Sequence, residues 1–324
     1  MANTLWLCTV ALLSTVCRGA TPSPAYVTFP GPEGATLSGI LYTPGPDFFS
    51  PQSCSYPGMV LMHGCTGIWS NRRVNRTVRG TWDLQNHLEK WALKLAARRI
   101  VALVVDSFTS RVPPNLPASS EEWQNQCTGS TFSNRVSPYT TRVQDARAAW
   151  RYLESLSNVM PNRIGLLGWS QGAEATMTEA GATLHDTNQI RDDYLFAVMV
   201  GFYPGCGDHL EFGGVVSSFW RPYTGFMLNV GTEDAFYTNC KSRVETSNRN
   251  HPSAAIQFPQ YNLAGHSFDH KSEIWPSSKC AMPVVPSNAD ECAMRAADID
   301  SLAFIESFLF APIADVWIEG HDEL

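Results

Sequence analysis

The chain has 324 residues, a formal net charge of −7 at pH 7, and 44% hydrophobic against 16% charged residues. That is ample apolar material for a large core under a lightly charged surface, and α/β folds of this length run as one domain. The acidic balance argues against a nucleic-acid partner, and the densest basic cluster, Arg72, Arg73 and Arg76, reads as a solvated loop.

Leu5 to Leu13 forms an apolar stretch too short to span a bilayer as a helix, and the small residues Gly19 and Ala20 follow it. This pattern predicts a signal peptide over residues 1–19, with the α-amino group as the only charge of its n-region. No other stretch is long enough for a membrane span. The mature part, residues 20–320, reads as a single domain. Its strands are predicted at 37–42, 58–62, 100–105, 163–168, 196–203, 226–230 and 254–258, and its helices at 82–98, 141–155, 171–180 and 290–309. Leu84, Leu88, Trp91 and Leu95 recur at helical spacing, and Asp290 fits the N-cap of the last helix. Short apolar strands alternating with amphipathic helices predict a mostly parallel central sheet with helices on both faces. No internal repeat is present.

The chemistry centres on Gly168-Trp169-Ser170-Gln171-Gly172, directly after the apolar run 164–167 and before a helical stretch. A serine on a sharp strand-to-helix turn is held in strained geometry with its hydroxyl pushed out, and only small residues two before and two after leave room for it. The helix N-terminus stabilises negative charge beside it. Chain order then requires an acid and a histidine downstream. The strand 226–230 ends in Gly231-Thr232-Glu233-Asp234, and Asp234 is preferred over Glu233 as the carboxylate. His266 lies on a loop after the last predicted strand. In such a triad the imidazole takes the serine proton, while the carboxylate fixes the tautomer and stabilises the imidazolium. An oxyanion hole needs one backbone N–H from the residue after the nucleophile, here Gln171, and one from the loop after an earlier strand. That loop is His63-Gly64-Cys65-Thr66-Gly67, and Cys65 is assigned as its donor, with the His63 side chain bracing the loop.

Together with Val105-Asp106-Ser107-Phe108, Tyr203-Pro204-Gly205-Cys206 and Gly265-His266-Ser267-Phe268, these segments resemble the dienelactone hydrolase-like branch of the α/β-hydrolase superfamily. Within it they resemble the exported members with extra cysteines. The resemblance covers about residues 30 to 310, and it implies the α/β-hydrolase fold and ester hydrolysis. Two departures stand out. Dienelactone hydrolases proper carry a cysteine nucleophile where this chain has Ser170, and an early acidic residue on the strand that here spans 37–42 without one.

Residues 106–138 form a long connection, and loops of that length are functional or mobile. Arg111 is a candidate for binding a substrate carboxylate, with pairing to Asp106 or capping of the loop as alternatives. Trp69, Phe108, Trp169, Phe202 and Tyr237 follow strand ends and are candidates to line an acyl or aryl pocket, with core packing the alternative for each; Trp169 is expected behind the elbow.

The mature part carries seven cysteines, at 54, 65, 127, 206, 240, 280 and 292. In an oxidising compartment most would pair, although connectivity cannot be derived from sequence. Adjacent strand ends favour Cys206 with Cys240; Cys280 with Cys292 is second and Cys65 with Cys127 third, which leaves Cys54 over. No metal site and no cofactor are predicted. The chain ends His321-Asp322-Glu323-Leu324, a retrieval signal that predicts a retrieval receptor and residence in the endoplasmic reticulum lumen, with a secreted or periplasmic location as the alternative. Asn75-Arg76-Thr77 is a glycosylation sequon in a polar loop. The reading is a serine hydrolase acting on small-molecule carboxylic esters. An acyltransferase or a peptidase on the same triad is one alternative, and a non-catalytic binding protein with this body is another.

Overall fold

The computed structural model describes residues 22–45, 55–70, 77–78, 81–127, 136–181, 196–206, 220–254, 256–270, 280, 285 and 287–311. The predicted signal peptide, Cys54, Asn75 and the tail 321–324 lie outside the described residues.

In chain order the strands are β1 (Ser23–Pro30), β2 (Thr36–Thr43) and β3 (Tyr56–Met62), then a two-residue ribbon of β4 (Thr77–Val78) and β5 (Thr81–Trp82). Helix α1 (Asn86–Ala97), β6 (Val101–Asp106), the short α2 (Glu121–Gln124) and α3 (Thr141–Glu154) follow. The second half runs β7 (Val159–Trp169), α4 (Gln171–Ala180), β8 (Val198–Phe202), β9 (Gly225–Gly231), α5 (Tyr237–Asn250), β10 (Gln260–Tyr261) and α6 (Ala289–Leu309). Eight strands make one sheet in the order β1-β2-β6-β3-β7-β8-β9-β10. From β6 to β10 every neighbouring pair is parallel, and β2 alone runs the other way, antiparallel to both of its neighbours, β1 and β6.

The sheet is buried on both sides because its side chains alternate between two apolar layers. Met59, Leu61, Ala102, Val104, Leu167, Val200 and Met227 point to the face covered by Leu88, Trp91 and Leu95 of α1 and Ala293, Leu302 and Ile305 of α6. Val60, Met62, Leu103, Val105, Leu166, Met199 and Leu228 point to the opposite face, covered by Ala146, Ala149 and Leu153 of α3, Met177 of α4 and Val244 of α5. This is the architecture predicted from the alternating pattern.

Strand β1 and helix α5 are not among the predicted elements, and other details differ. Helix α1 begins at Asn86, and Trp82 belongs to β5 instead of the helix. No strand spans 254–258: Pro252–Ala254 is a 3-10 turn, Gln257 makes an isolated bridge to Met227, and pairing resumes only at Gln260 and Tyr261, against Val230 and Gly231. Pro259, which has no N–H to donate, lies between the two. The last helix starts at Ala289 with Asn288 at its N-cap, so Asp290 sits inside the first turn, where its Oδ1 accepts the Gly265 N–H at 2.9 Å. The long connection after β6 is broken by a 3-10 turn at Thr109–Arg111 and by α2.

The parallel strands all end on one edge. His63, Asp106, Ser170, Tyr203, Asp234 and His266 follow the C-terminal ends of β3, β6, β7, β8, β9 and β10 respectively, or close them. That edge is where open α/β sheets place their sites.

Candidate active site

Ser170 is the N-cap of α4 and has φ 49° and ψ −116°, a conformation that L side chains rarely adopt and that costs roughly 1–3 kcal/mol. Its backbone is held from both sides: the Ser170 N–H donates to the Phe202 carbonyl at 2.9 Å, and its own carbonyl accepts the Glu174 N–H at 2.9 Å. Gly172 makes the turn possible. A Cβ there would overlap the Met62 and His63 carbonyl oxygens, so only glycine lets α4 approach β3 this closely.

Asp234 and His266 converge on this serine. Asp234 has a fully buried side chain; its Oδ1 accepts the Phe236 N–H at 2.9 Å, and its Oδ2 lies 2.8 Å from His266 Nδ1. His266 Nε2 lies 3.2 Å from Ser170 Oγ. In the tautomer in which Nδ1 donates to Asp234, Nε2 is free to accept the serine proton. Neighbouring Glu233 is exposed, and its N–H donates to the Ala264 carbonyl at 2.9 Å. The acid turn and the histidine loop are further tied by Thr232 N–H to the Tyr261 carbonyl and by Leu263 N–H to Thr232 Oγ1, both at 2.9 Å.

The segment after β3 packs on the serine: a Cβ at Gly64 would lie 3.6 Å from Ser170 Cβ. His63 is fully buried and kept neutral, because burial and the nearby Arg142 charge push its pKa well below the ordinary value. It accepts the Ser107 N–H at Nε2 and reaches the Gly64 carbonyl with Nδ1, so it braces the loop. Gln171 follows Ser170 directly, and Cys65 follows Gly64, the residue that packs on Ser170 from the other segment. Cys65 is disulfide-bonded to Cys127, and its carbonyl accepts the Gln126 N–H at 2.8 Å. Cys206 pairs with Cys240 and Cys280 with Cys292, completing the three pairs favoured from sequence.

The pocket-lining candidates behave differently. Arg111 gives both terminal nitrogens to Asp145, at 2.6 and 2.9 Å, and also donates to the Ser107 carbonyl, so its guanidinium is engaged within the protein. Phe108 is fully buried against His63. Trp69 is buried with its indole N–H on Asp106 Oδ2 at 2.7 Å. Phe202 and Trp169 are core residues, and Trp169 sits behind the elbow. Tyr237 opens α5, where its hydroxyl bonds Gln260 and its ring stacks on Phe258. In place of these residues, Phe236 shows 40% of its surface and sets its ring edge-on 6.1 Å from His266.

Three further residues at the site had escaped the sequence reading. Arg142, buried at the start of α3, donates to the His63 carbonyl at 2.5 Å and to Gln171 Oε1 at 3.1 Å, joining the two segments beside Ser170. Burial pushes its pKa down to about 10, which leaves it cationic at neutral pH. No local motif marks it. Asp269, three residues after His266, accepts the Trp169 indole N–H at 2.7 Å and the Tyr203 hydroxyl, and the Tyr203 ring lies 4.8 Å from the His266 ring. Glu174 lies one helical turn after Ser170. The spacing of the last two from the triad residues was visible, but nothing in spacing alone says which way they face.

No family model matches the chain, and no curated protein matches it. Solved structures do. A dienelactone hydrolase-like promiscuous phosphotriesterase from metagenomic libraries superposes with a TM-score of 0.59 at 14% identity, covering 89% of this chain and 99% of that one. This chain has the α/β-hydrolase fold. Esterase 2 of Thermogutta terrifontis, solved as a tabun adduct, matches with a TM-score of 0.55 at 13% identity over 90% of this chain and 98% of that one. A puromycin hydrolase matches with a TM-score of 0.56 at 16% identity over 91% of this chain and 40% of that one.

The Asp269 cluster makes a direct prediction. Asp269→Ala leaves the Trp169 N–H and the Tyr203 hydroxyl without their acceptor in a buried site, and is expected to lower stability by about 2–4 kcal/mol in denaturant unfolding. Unchanged stability would show that Asp269 does not join these two residues.

Proposed function

We propose that this protein is a serine hydrolase of the dienelactone hydrolase-like branch that cleaves carboxylic esters, with residues 20–320 as its catalytic domain. One observation carries the reading: the hydrogen-bonded line from Asp234 through His266 to a Ser170 held at positive φ. Ser170 Oγ attacks the ester carbonyl carbon while His266 Nε2 takes its proton. The Cys65 and Gln171 N–H groups receive the negative charge that develops on the carbonyl oxygen. Asp234 holds the imidazolium, which then protonates the departing alcohol. Water, deprotonated by the same imidazole, attacks the acyl-serine, and collapse of the second tetrahedral intermediate releases the acid and restores Ser170.

The same chemistry explains why the surrounding links are buried. Arg142 keeps two donor segments in register without touching the ester, and a donor misplaced by a fraction of an ångström loses its transition-state bond. No described helix is long and apolar enough to cross a membrane. Three disulfides fit an oxidising compartment. With the N-terminal apolar stretch and the His321-Asp322-Glu323-Leu324 ending, they support an endoplasmic reticulum lumenal enzyme, glycosylated at Asn75.

Two experiments follow. Ser170→Ala is expected to lower kcat on a short aryl ester by about four orders of magnitude or more while the protein stays folded; a near wild-type rate would remove Ser170 as the nucleophile. Expression in a eukaryotic cell with and without residues 321–324 tests location. The intact chain should stay inside and remain sensitive to endoglycosidase H, and the truncated chain should reach the medium. Equal secretion of both would overturn residence in the lumen.

A further inference from the structure

Glu174 is a carboxylate that the triad does not use. It sits in the first turn of α4, four residues from Ser170, and is half-buried. Its neighbours come from four elements. Tyr139, before α3, approaches one oxygen with its hydroxyl at 3.5 Å. Gly205, after β8, offers its backbone N–H. Arg142 from α3 and His266 from the loop after β10 act on it through space. The two terminal nitrogens of Arg142 are bonded to Gln171 and His63, and its charge acts on Glu174 through space. Among the described residues Glu174 makes no ion pair.

Gly205 shows what shares this corner of the site. A Cβ there would overlap Glu174 Oε1 and lie 3.8 Å from Phe236 Cε1. The Glu174 carboxylate and the Phe236 ring edge thus both lie against Gly205, and Phe236 in turn borders His266. A carboxylate beside an exposed aromatic ring is the combination that holds an ammonium group: one supplies the charge, the other a polarisable wall that asks for little hydration. Neutral or anionic substrate groups gain nothing from it, and a carboxylate-bearing substrate would be repelled, Arg111 being already bound to Asp145.

We propose that Glu174 and Phe236 form a subsite for a positively charged group on the ester, so that the enzyme prefers ammonium-bearing substrates over neutral ones of the same shape. The proposal rests on the serine-hydrolase reading above and adds the substrate class. It also has a pH signature. Burial, outweighing the opposing pull of Arg142, Gly205, Tyr139 and His266, raises the Glu174 carboxyl to about 7. The carboxylate therefore forms as pH rises through neutrality, and the preference for a cation should rise with it.

The test uses two isosteric pairs. One carries trimethylammonium or tert-butyl on the acyl chain of an aryl ester; the other is a choline ester with its 3,3-dimethylbutyl counterpart. In the wild type, kcat/KM for the cation should exceed that for the neutral partner by on the order of tenfold in at least one pair. That ratio should climb from about pH 6 to about pH 8. It should fall toward one in Glu174→Gln, and fall in Phe236→Ala. A wild-type ratio near one in both pairs overturns the subsite, as does a ratio that survives Glu174→Gln. If the Gln variant fails to fold, a ratio in the wild type that stays flat with pH overturns it equally. Hydrolysis of none of the four esters by the wild type would instead remove the serine-hydrolase reading, and the subsite with it.

Discussion

Helix α4 meets strand β3 at Gly172 with no space for a side chain, and that contact fixes where the start of α4 carries Ser170. The close approach brings the start of α4 over the C-terminal end of the sheet, where its free N–H groups point toward the serine. It also forces the chain between β7 and α4 to turn at a single residue, Ser170, which adopts positive φ. Strain of this kind persists only when the surroundings over-determine it. Here they do so through the Phe202 carbonyl on one side and the first turn of α4 on the other.

A hydroxyl so presented is useful only if three loops from other strands arrive at fixed distances. Loops are the mobile part of an α/β protein, and this molecule ties each one to a rigid element. The segment after β3 is held by the Arg142 bonds and by the Cys65–Cys127 disulfide. The acid turn after β9 is held by the Thr232 N–H on the Tyr261 carbonyl and runs into α5, which the Cys206–Cys240 disulfide ties to the segment after β8. The histidine loop is held by Asp269 to Trp169 and Tyr203, residues at the ends of β7 and β8. Burying Arg142 and Asp269 is costly in itself, and removal of one partner of such a buried charge is strongly destabilising. Such groups are placed where geometry matters more than net stability.

Much of this was legible from residue order. The parallel sheet could be read because its strands are buried on both faces and therefore run as short unbroken apolar stretches, such as Val101 to Val105. The elbow could be read because its glycines are demanded by sterics, and Asp234 and His266 because strand ends are where such groups belong. Other elements left too faint a trace. Helix α5 buries only Cys240, Arg243, Val244 and Ser247, a stripe with a single aliphatic residue, so its period is hidden among polar residues. Strand β1 is an exposed edge with proline at both its second and last positions. Arg111 was legible as a cation near the site but not as the partner of Asp145, which lies 34 residues away on α3. Phe108 and Trp69 follow strand ends as pocket residues would, yet the long connection after β6 folds back and buries both. Arg142, Glu174 and Asp269 owe their places to packing between elements, which no local spacing encodes.

The most direct measurement on this arrangement is covalent. Folded protein is incubated with a fluorophosphonate and then digested and mapped by mass spectrometry. His266 Nε2 lies 3.2 Å from Ser170 Oγ, and on the proposed reading this line activates the hydroxyl, so a single phosphonyl adduct on the peptide carrying Ser170 is expected. Absence of any adduct, or an adduct on another residue with Ser170 unmodified, would contradict it.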